Sequence, residues 1–169
     1  MSLFIMKYIP IAPLHVNMDW TCVKMGKYYK PIARLPLKQK QWQMKLARLV
    51  AEARPDKPID EPFIISMVFI SPRPASMLTK KYPAHRLPKA TTPDTDNLIK
   101  LTVDALNKDN WFTDDQRAVG MIAYKLYAAK GEDPSVSIMV LTAAMSKEGN
   151  INEPISLMAQ LPDPTIQPS

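Results

Sequence analysis

The sequence predicts a small α/β or α+β domain, a mixed β-sheet with two main helices in the order β-(β)-α-β-α-β-β. Three observations lead there. Two stretches, 37–53 and 96–107, carry apolar residues at helical spacing. Several shorter stretches are rich in branched and aromatic residues and end at turn formers. Seventeen prolines against four glycines in 169 residues divide the chain into short elements with stiff connections, because proline fixes φ and ends helices.

Taken in order, residues 2–12 read as a strand, with Phe4, Met6, Tyr8 and Ile9 in partial alternation. Residues 22–29 suggest an exposed strand or hairpin around Gly26. Residues 37–53 form a helix in which Trp42, Leu46, Leu49 and Val50 share a stripe, with Lys38, Lys45, Arg48 and Glu52 on other faces. Arg54-Pro55 ends it. Residues 63–71 (FIISMVFIS) lie between Pro62 and Pro72 and read as a buried strand. A proline- and lysine-rich loop, 72–93, follows. The second helix, 96–107, has Leu98, Leu101, Ala105 and Leu106 on one stripe. Two strands, 118–129 and 135–142, are separated by the turn Gly131-Glu132-Asp133-Pro134. Residues 1–145 are expected to make the domain, and 146–169, polar with no clear period, a poorly ordered tail.

Composition narrows the function classes. The net charge is +6 and the pI about 9.4, which favours a polyanionic partner. No apolar run reaches the roughly 18 residues of a membrane span. The apolar start is broken by Lys7, Pro10 and Pro13 and does not read as a signal peptide. One cysteine, Cys22, rules out an intrachain disulfide, and with two scattered histidines, His15 and His85, it makes a poor zinc set. The cytoplasm is the expected compartment. Four glycines leave no room for a Walker loop, so no nucleotide cofactor is expected.

The charges are segregated. Lys24, Lys27, Lys30, Arg34, Lys38, Lys40, Lys45 and Arg48 follow one another without a carboxylate, interleaved with Tyr28, Tyr29 and Trp42; Arg73, Lys80, Lys81, Arg86 and Lys89 form a second acid-free group. Such charges bind phosphate backbones, and exposed aromatics stack on bases. Conversely Asp94, Asp96, Asp104, Asp109, Asp114 and Asp115 crowd together, offset there only by Lys100 and Lys108. Magnesium takes oxygen ligands and keeps several waters, so two or three carboxylates suffice to hold it. Asp94 and Asp96 sit at the start of the second helix with Lys100 one turn beyond. Asp114-Asp115 reaches the same ion if the next strand runs back beside that helix start. Taken singly, the first pair would serve as helix caps and the second as a turn; jointly they suit metal-assisted phosphodiester hydrolysis, with Lys100 at the scissile phosphate.

The run Pro93-Asp94-Thr95-Asp96-Asn97-Leu98-Ile99-Lys100, then Asp104-Ala105-Leu106-Asn107, then Trp111-Phe112-Thr113-Asp114-Asp115-Gln116 resembles the RusA family of Holliday junction resolvases, common in prophages, whose pattern is D-x-D-N-x-x-K, D-A-L-N, a tryptophan and D-D-x-Q. Outside these about 25 residues the likeness is looser. The resemblance implies a RusA-like domain and a homodimeric, magnesium-dependent endonuclease, with Mn²⁺ able to substitute. Such an enzyme nicks four-way DNA junctions in paired strands during recombination and repair. It implies metal-holding roles for Asp94, Asp96 and Asp115, with Asp114 adjacent, and a catalytic role for Lys100. It implies junction-arm contacts for the basic groups, among them Lys24, Lys27, Lys30, Arg34, Lys38, Arg73, Lys80, Lys81, Arg86 and Lys89. Two rivals remain at this point: a non-catalytic basic DNA-binding module, and a metal nuclease acting on flaps or forks.

Overall fold

The computed structural model describes residues 3–14, 19–34 and 36–142; the tail expected at 146–169 lies outside them, as does His15. Among the described residues seven strands and two α-helices follow the predicted order with one addition: β1 (Leu3–Ile9), β2 (Asp19–Met25), β3 (Tyr28–Arg34), α1 (Leu37–Val50), β4 (Phe63–Ser71), β5 (Leu87–Pro88), α2 (Thr95–Lys108), β6 (Ala118–Tyr127) and β7 (Ser135–Thr142). β5 is the addition; it lies inside the loop expected at 72–93. Among the described residues β2 and β3 pair only with each other, around a turn in which Gly26 takes φ +64°, a conformation that favours glycine. The remaining strands form a five-stranded sheet in the order β1-β7-β4-β6-β5.

β4 is central because its sequence is apolar on both faces. Phe63, Ile65, Met67 and Phe69 point to one side and are fully buried with Leu46 of α1 and Leu98, Leu101 and Leu106 of α2. Trp111 is buried in the same core, and Phe112 stacks on Phe63 at a centroid distance of 4.2 Å. The α1 stripe differs from expectation at one residue. Leu49 is exposed, and the buried face is Gln39, Trp42, Gln43, Leu46 and Val50. Gln43 belongs there because its side chain is spoken for, donating to the Leu101 carbonyl (3.3 Å) and accepting from Lys108 (2.6 Å). The Trp42 indole N–H similarly donates to the Ala12 carbonyl (2.8 Å).

The last two strands do not pair with each other, although a turn separates them in sequence. β7 runs antiparallel to β4 on one side and β6 runs parallel to β4 on the other. A parallel pair needs a crossover, and α2 supplies it. The helix therefore starts beside the carboxyl ends of β4 and β6 and finishes beside their amino ends. Contacts at both ends confirm this direction. The Lys125 ammonium, near the end of β6, donates to the Pro93 carbonyl (2.6 Å) just before α2. Phe112, just after α2, stacks on Phe63, which pairs with Ala118 at the start of β6.

Candidate metal and nucleic-acid site

Asp94 is the N-cap residue of α2, with extended backbone (φ −69°, ψ 149°), but its carboxylate makes no capping hydrogen bond. Asp96 lies in the first turn and Lys100 one turn later; all three side chains are exposed. No other described residue bonds to any of them. Capping therefore does not consume these carboxylates, which lie at the amino-terminal end of α2.

The loop that delivers Asp94 is fastened by two lysines. Lys125 donates to the carbonyls of Thr91 (2.7 Å) and Pro93 (2.6 Å). Lys89 donates to the Thr91 carbonyl and hydroxyl (3.1 Å each) and to the Thr92 carbonyl. Tyr127 backs them: its hydroxyl is 2.8 Å from Thr91 Oγ1, and its ring lies 5.5 Å under the Lys89 ammonium. Burial, and then the charge of Lys125, hold the Lys89 ammonium below its ordinary pKa.

The second acidic segment is fastened to a different place. The Ile59 amide donates to the Trp111 carbonyl (2.9 Å), and the Thr113 amide returns a bond to the Ile59 carbonyl (3.0 Å). Asp60 accepts from the Thr113 hydroxyl (2.6 Å) and pairs with Arg117 (3.0 Å). Between these pins lies a single turn of 3₁₀ helix, Asp115–Arg117, whose cap is Asp114; its carboxylate accepts from the Gln116 amide (2.9 Å). Asp114 thus has the turn-forming job, while the Asp115 carboxylate is bonded to no other described residue.

The structure brings Asp94, Asp96 and Lys100 together at one end of α2 and places Asp114 and Asp115 at the other. Fourteen residues of α-helix span about 21 Å at about 1.5 Å per residue. Among the described residues no three His, Cys, Asp or Glu side chains gather closely enough to hold a metal ion. The expected return of Asp114-Asp115 beside the helix start is therefore not met within one chain. The cause is the parallel pairing of β4 and β6, which puts the start of β6 at the far end of the crossover.

The basic residues divide into two kinds. Lys24, Lys27, Lys30, Lys38, Lys80 and Lys81 are exposed, as are Tyr28 and Tyr29 beside the β2–β3 turn. Arg73, Arg86 and Lys89 bind the protein itself. Arg73 donates to the carbonyls of Ala128 (2.8 Å), Pro83 (2.7 Å) and His85. Arg86 grips Glu132 through its Nε (2.9 and 3.0 Å) and a terminal nitrogen. These side chains brace the long loop that leads to Asp94. The side chains of Arg34 and Cys22 lie outside the described residues.

Sequence reasoning missed Lys125 and Asp60. Lys125 did leave a signal: it shares a face of β6 with Met121 and Ala123, so a charge falls where the alternation asks for an apolar residue toward the helices. Asp60 left none, being one acid in a proline-punctuated loop.

The model of the family "Endodeoxyribonuclease RusA" matches residues 16–141. The "Uncharacterized protein YqaN" of Bacillus subtilis (strain 168) is 27% identical to this chain, over 70% of the chain and 95% of that protein. Among the described residues no helix is long and apolar enough to cross a membrane.

Proposed function

The chain belongs to the RusA endodeoxyribonuclease family, and from this we propose that it resolves four-way DNA junctions as a magnesium-dependent homodimer in which each metal site combines Asp94 and Asp96 of one subunit with Asp115 of the other. The observation that carries this reading is the division of three unspent carboxylates between the two ends of α2. The donor set fits a hard cation: carboxylate oxygens, exposed at Asp94 and Asp96 and half-buried at Asp115, with room for the waters that magnesium retains. Manganese, with the same preference for oxygen, is expected to substitute.

A bound ion supplies Lewis-acid chemistry, polarising the scissile phosphodiester and activating the attacking water. The chain's own residues do the rest. Asp94 and Asp96 hold the ion at the start of α2, on a loop kept in place by Lys89 and Lys125. Lys100, one helical turn beyond Asp96, meets the phosphate and offsets charge as it develops there. The exposed lysines draw the DNA backbone to the site. A junction has two strands to cut, and a two-fold dimer presents two sites related as the strands are. Paired nicks in recombination and repair intermediates follow.

Mixing two dead subunits tests the reading. Asp96→Asn and Asp115→Asn homodimers should each fail to cut a four-way junction in Mg²⁺. Co-expressed, they form mixed dimers in which one site carries both substitutions and the other carries neither, so single nicks should reappear. If each subunit held its own ion, every site would carry one substitution and the mixed dimer would stay silent; that result would overturn the shared site. Fork and linear duplex run beside the junction give the specificity, and equal cutting of all three would overturn the resolvase reading.

A further inference from the structure

We propose that Leu78, in the loop between β4 and α2, is a wedge that opens the base step at the branch point of a bound DNA junction; this rests on the resolvase reading above and names a residue that tells a junction from linear duplex. The loop is longer than its task as a connection requires. Ser71, where β4 ends, pairs with Tyr127. Thr91, shortly before α2, has its hydroxyl 2.8 Å from the Tyr127 phenol. Both ends of the loop thus meet the same residue, and a direct crossover could omit most of 72–90. Strand-to-helix connections usually take about 2–6 residues, and those beyond about 12–15 are uncommon in compact domains unless they are functional or disordered.

This excursion is fastened throughout. Besides the three carbonyls held by Arg73, the Lys130 ammonium donates to the carbonyls of Thr79 (2.8 Å) and Tyr82 (2.7 Å), and the Lys130 amide donates to the Ala84 carbonyl (2.8 Å). Leu78 stands between two fixed turns. Its amide closes the 3₁₀ turn Ala75–Met77 by donating to the Ala75 carbonyl (3.1 Å). The next residue, Thr79, accepts from Lys130 and from the Tyr82 amide (3.2 Å). The backbone on either side of Leu78 is therefore held, while its side chain is 52% exposed. A rigid mount under a half-exposed leucine suits a side chain that must push into something.

The surroundings identify the partner. Residues 72–93 contain Arg73, Lys80, Lys81, Arg86 and Lys89 and no carboxylate. Arg73, Arg86 and Lys89 bind the protein itself, but Lys80 and Lys81, two and three residues from Leu78, are exposed. A second copy of the chain would bring the same positive loop and be repelled, whereas a phosphate backbone is attracted. The loop also lies at the carboxyl ends of β4 and β6, the end at which Asp94 and Asp96 begin α2. Apolar side chains of this size insert between base steps and kink the helix. A branch point interrupts stacking, so opening a step there costs less than in continuous duplex, as it does at a mismatch.

A fluorescent base tests the wedge. A four-way junction carrying 2-aminopurine beside the branch point is titrated to saturation with the full chain bearing Asp96→Asn, in Mg²⁺. Fluorescence should rise on the junction and not on linear duplex of the same sequence. Adding Leu78→Ala should abolish the rise at full occupancy, and Leu78→Phe should keep it. With Asp96 restored, Leu78→Ala should cut the intact junction at least about tenfold more slowly, about 1.4 kcal/mol in a barrier. It should recover most of that loss on a junction already opened by mismatches at the branch. An undiminished rise in Leu78→Ala, or slow cutting that mismatches do not rescue, overturns the wedge. The two readings fail separately. Junction cutting by the unaltered chain without any rise keeps the resolvase and rejects the wedge; a rise that depends on Leu78, without cutting by the unaltered chain, keeps the wedge and rejects the nuclease.

Discussion

Lys125 is the residue whose role the fold explains most fully. Its ammonium closes two charge-assisted bonds onto the backbone that leads directly into Asp94, and hydrogen bonds to charged groups contribute about 1.5–3 kcal/mol each. Lys125→Met leaves the Thr91 and Pro93 carbonyls without this partner and loosens the loop while sparing every carboxylate. The expected result is a folded, junction-binding protein that cuts at least about tenfold more slowly, the scale of about 1.4 kcal/mol in a barrier, and needs more magnesium for half-maximal rate. Lys125→Arg should recover part of the loss. A Met variant with lower thermal stability but an unchanged magnesium requirement would show that Lys125 only holds the fold. The acids themselves were legible in the sequence, because six carboxylates among so few lysines are conspicuous in a basic chain. Which of Asp114 and Asp115 stays free was not, since that depends on which side chain caps the 3₁₀ turn.

At the scale of elements, the helices and strands were readable wherever a local pattern controls them. β4 is apolar at nearly every position and could only be central; α2 shows a clean stripe from Leu98 to Leu106. Strand partnership was not readable. The Gly131–Pro134 turn suggests that β6 and β7 are neighbours, yet both prefer the doubly buried β4 and lie on opposite sides of it. That choice decides the direction of the α2 crossover, and so the separation of the acids. The turn is instead anchored sideways. Glu132 accepts from Arg86 and from the Ala129 amide (2.7 Å), tying the β6–β7 connection to the loop before β5. Burial by itself would raise the Glu132 pKa, but the bonds from Arg86 and Ala129, with the charges of Arg86 and Arg73, outweigh it and hold the carboxyl below its ordinary range. A carboxyl depressed in the folded state contributes stability above its unfolded pKa and loses it as pH falls through the folded one. Glu132→Gln should therefore cost about 2 kcal/mol at neutral pH, in the range for a hydrogen bond to a charged group, and the gap should close in acid. Denaturant melts of both proteins between pH 7 and pH 3 would show it; a gap independent of pH would mean that the ion pair contributes nothing beyond shape.

For the whole molecule, the question is how a DNA junction meets the sites, and the β2–β3 hairpin offers the most specific answer. Among the described residues it pairs only with itself, so its sequence is not needed to complete the main sheet. Lys24, Lys27 and Lys30 are exposed on it, and Tyr28 and Tyr29 are 80% and 68% exposed beside its turn. These two residue types would do different work. Lysines neutralise phosphates and release counterions, which makes affinity fall with salt by about 0.9 in log–log slope per contact on duplex DNA. Tyrosines stack on bases exposed where duplex arms meet, at about 1–3 kcal/mol per base and with little salt dependence. Junction affinity measured across a salt series in an Asp96→Asn background separates the two. Replacing the three lysines by Ala should flatten the slope by between one and three contacts' worth and leave little difference at high salt. Replacing Tyr28 and Tyr29 by Ala should weaken binding at every salt concentration with the slope unchanged, and more on a junction than on linear duplex, which has no unstacked bases to offer. If the lysine variant keeps the wild-type slope, the hairpin does not touch the backbone and the exposed charge of Lys38, Lys80 and Lys81 must carry the arms instead. If the tyrosine variant loses junction and duplex binding equally, the aromatics pack against the protein or the backbone rather than reading the open centre of the junction.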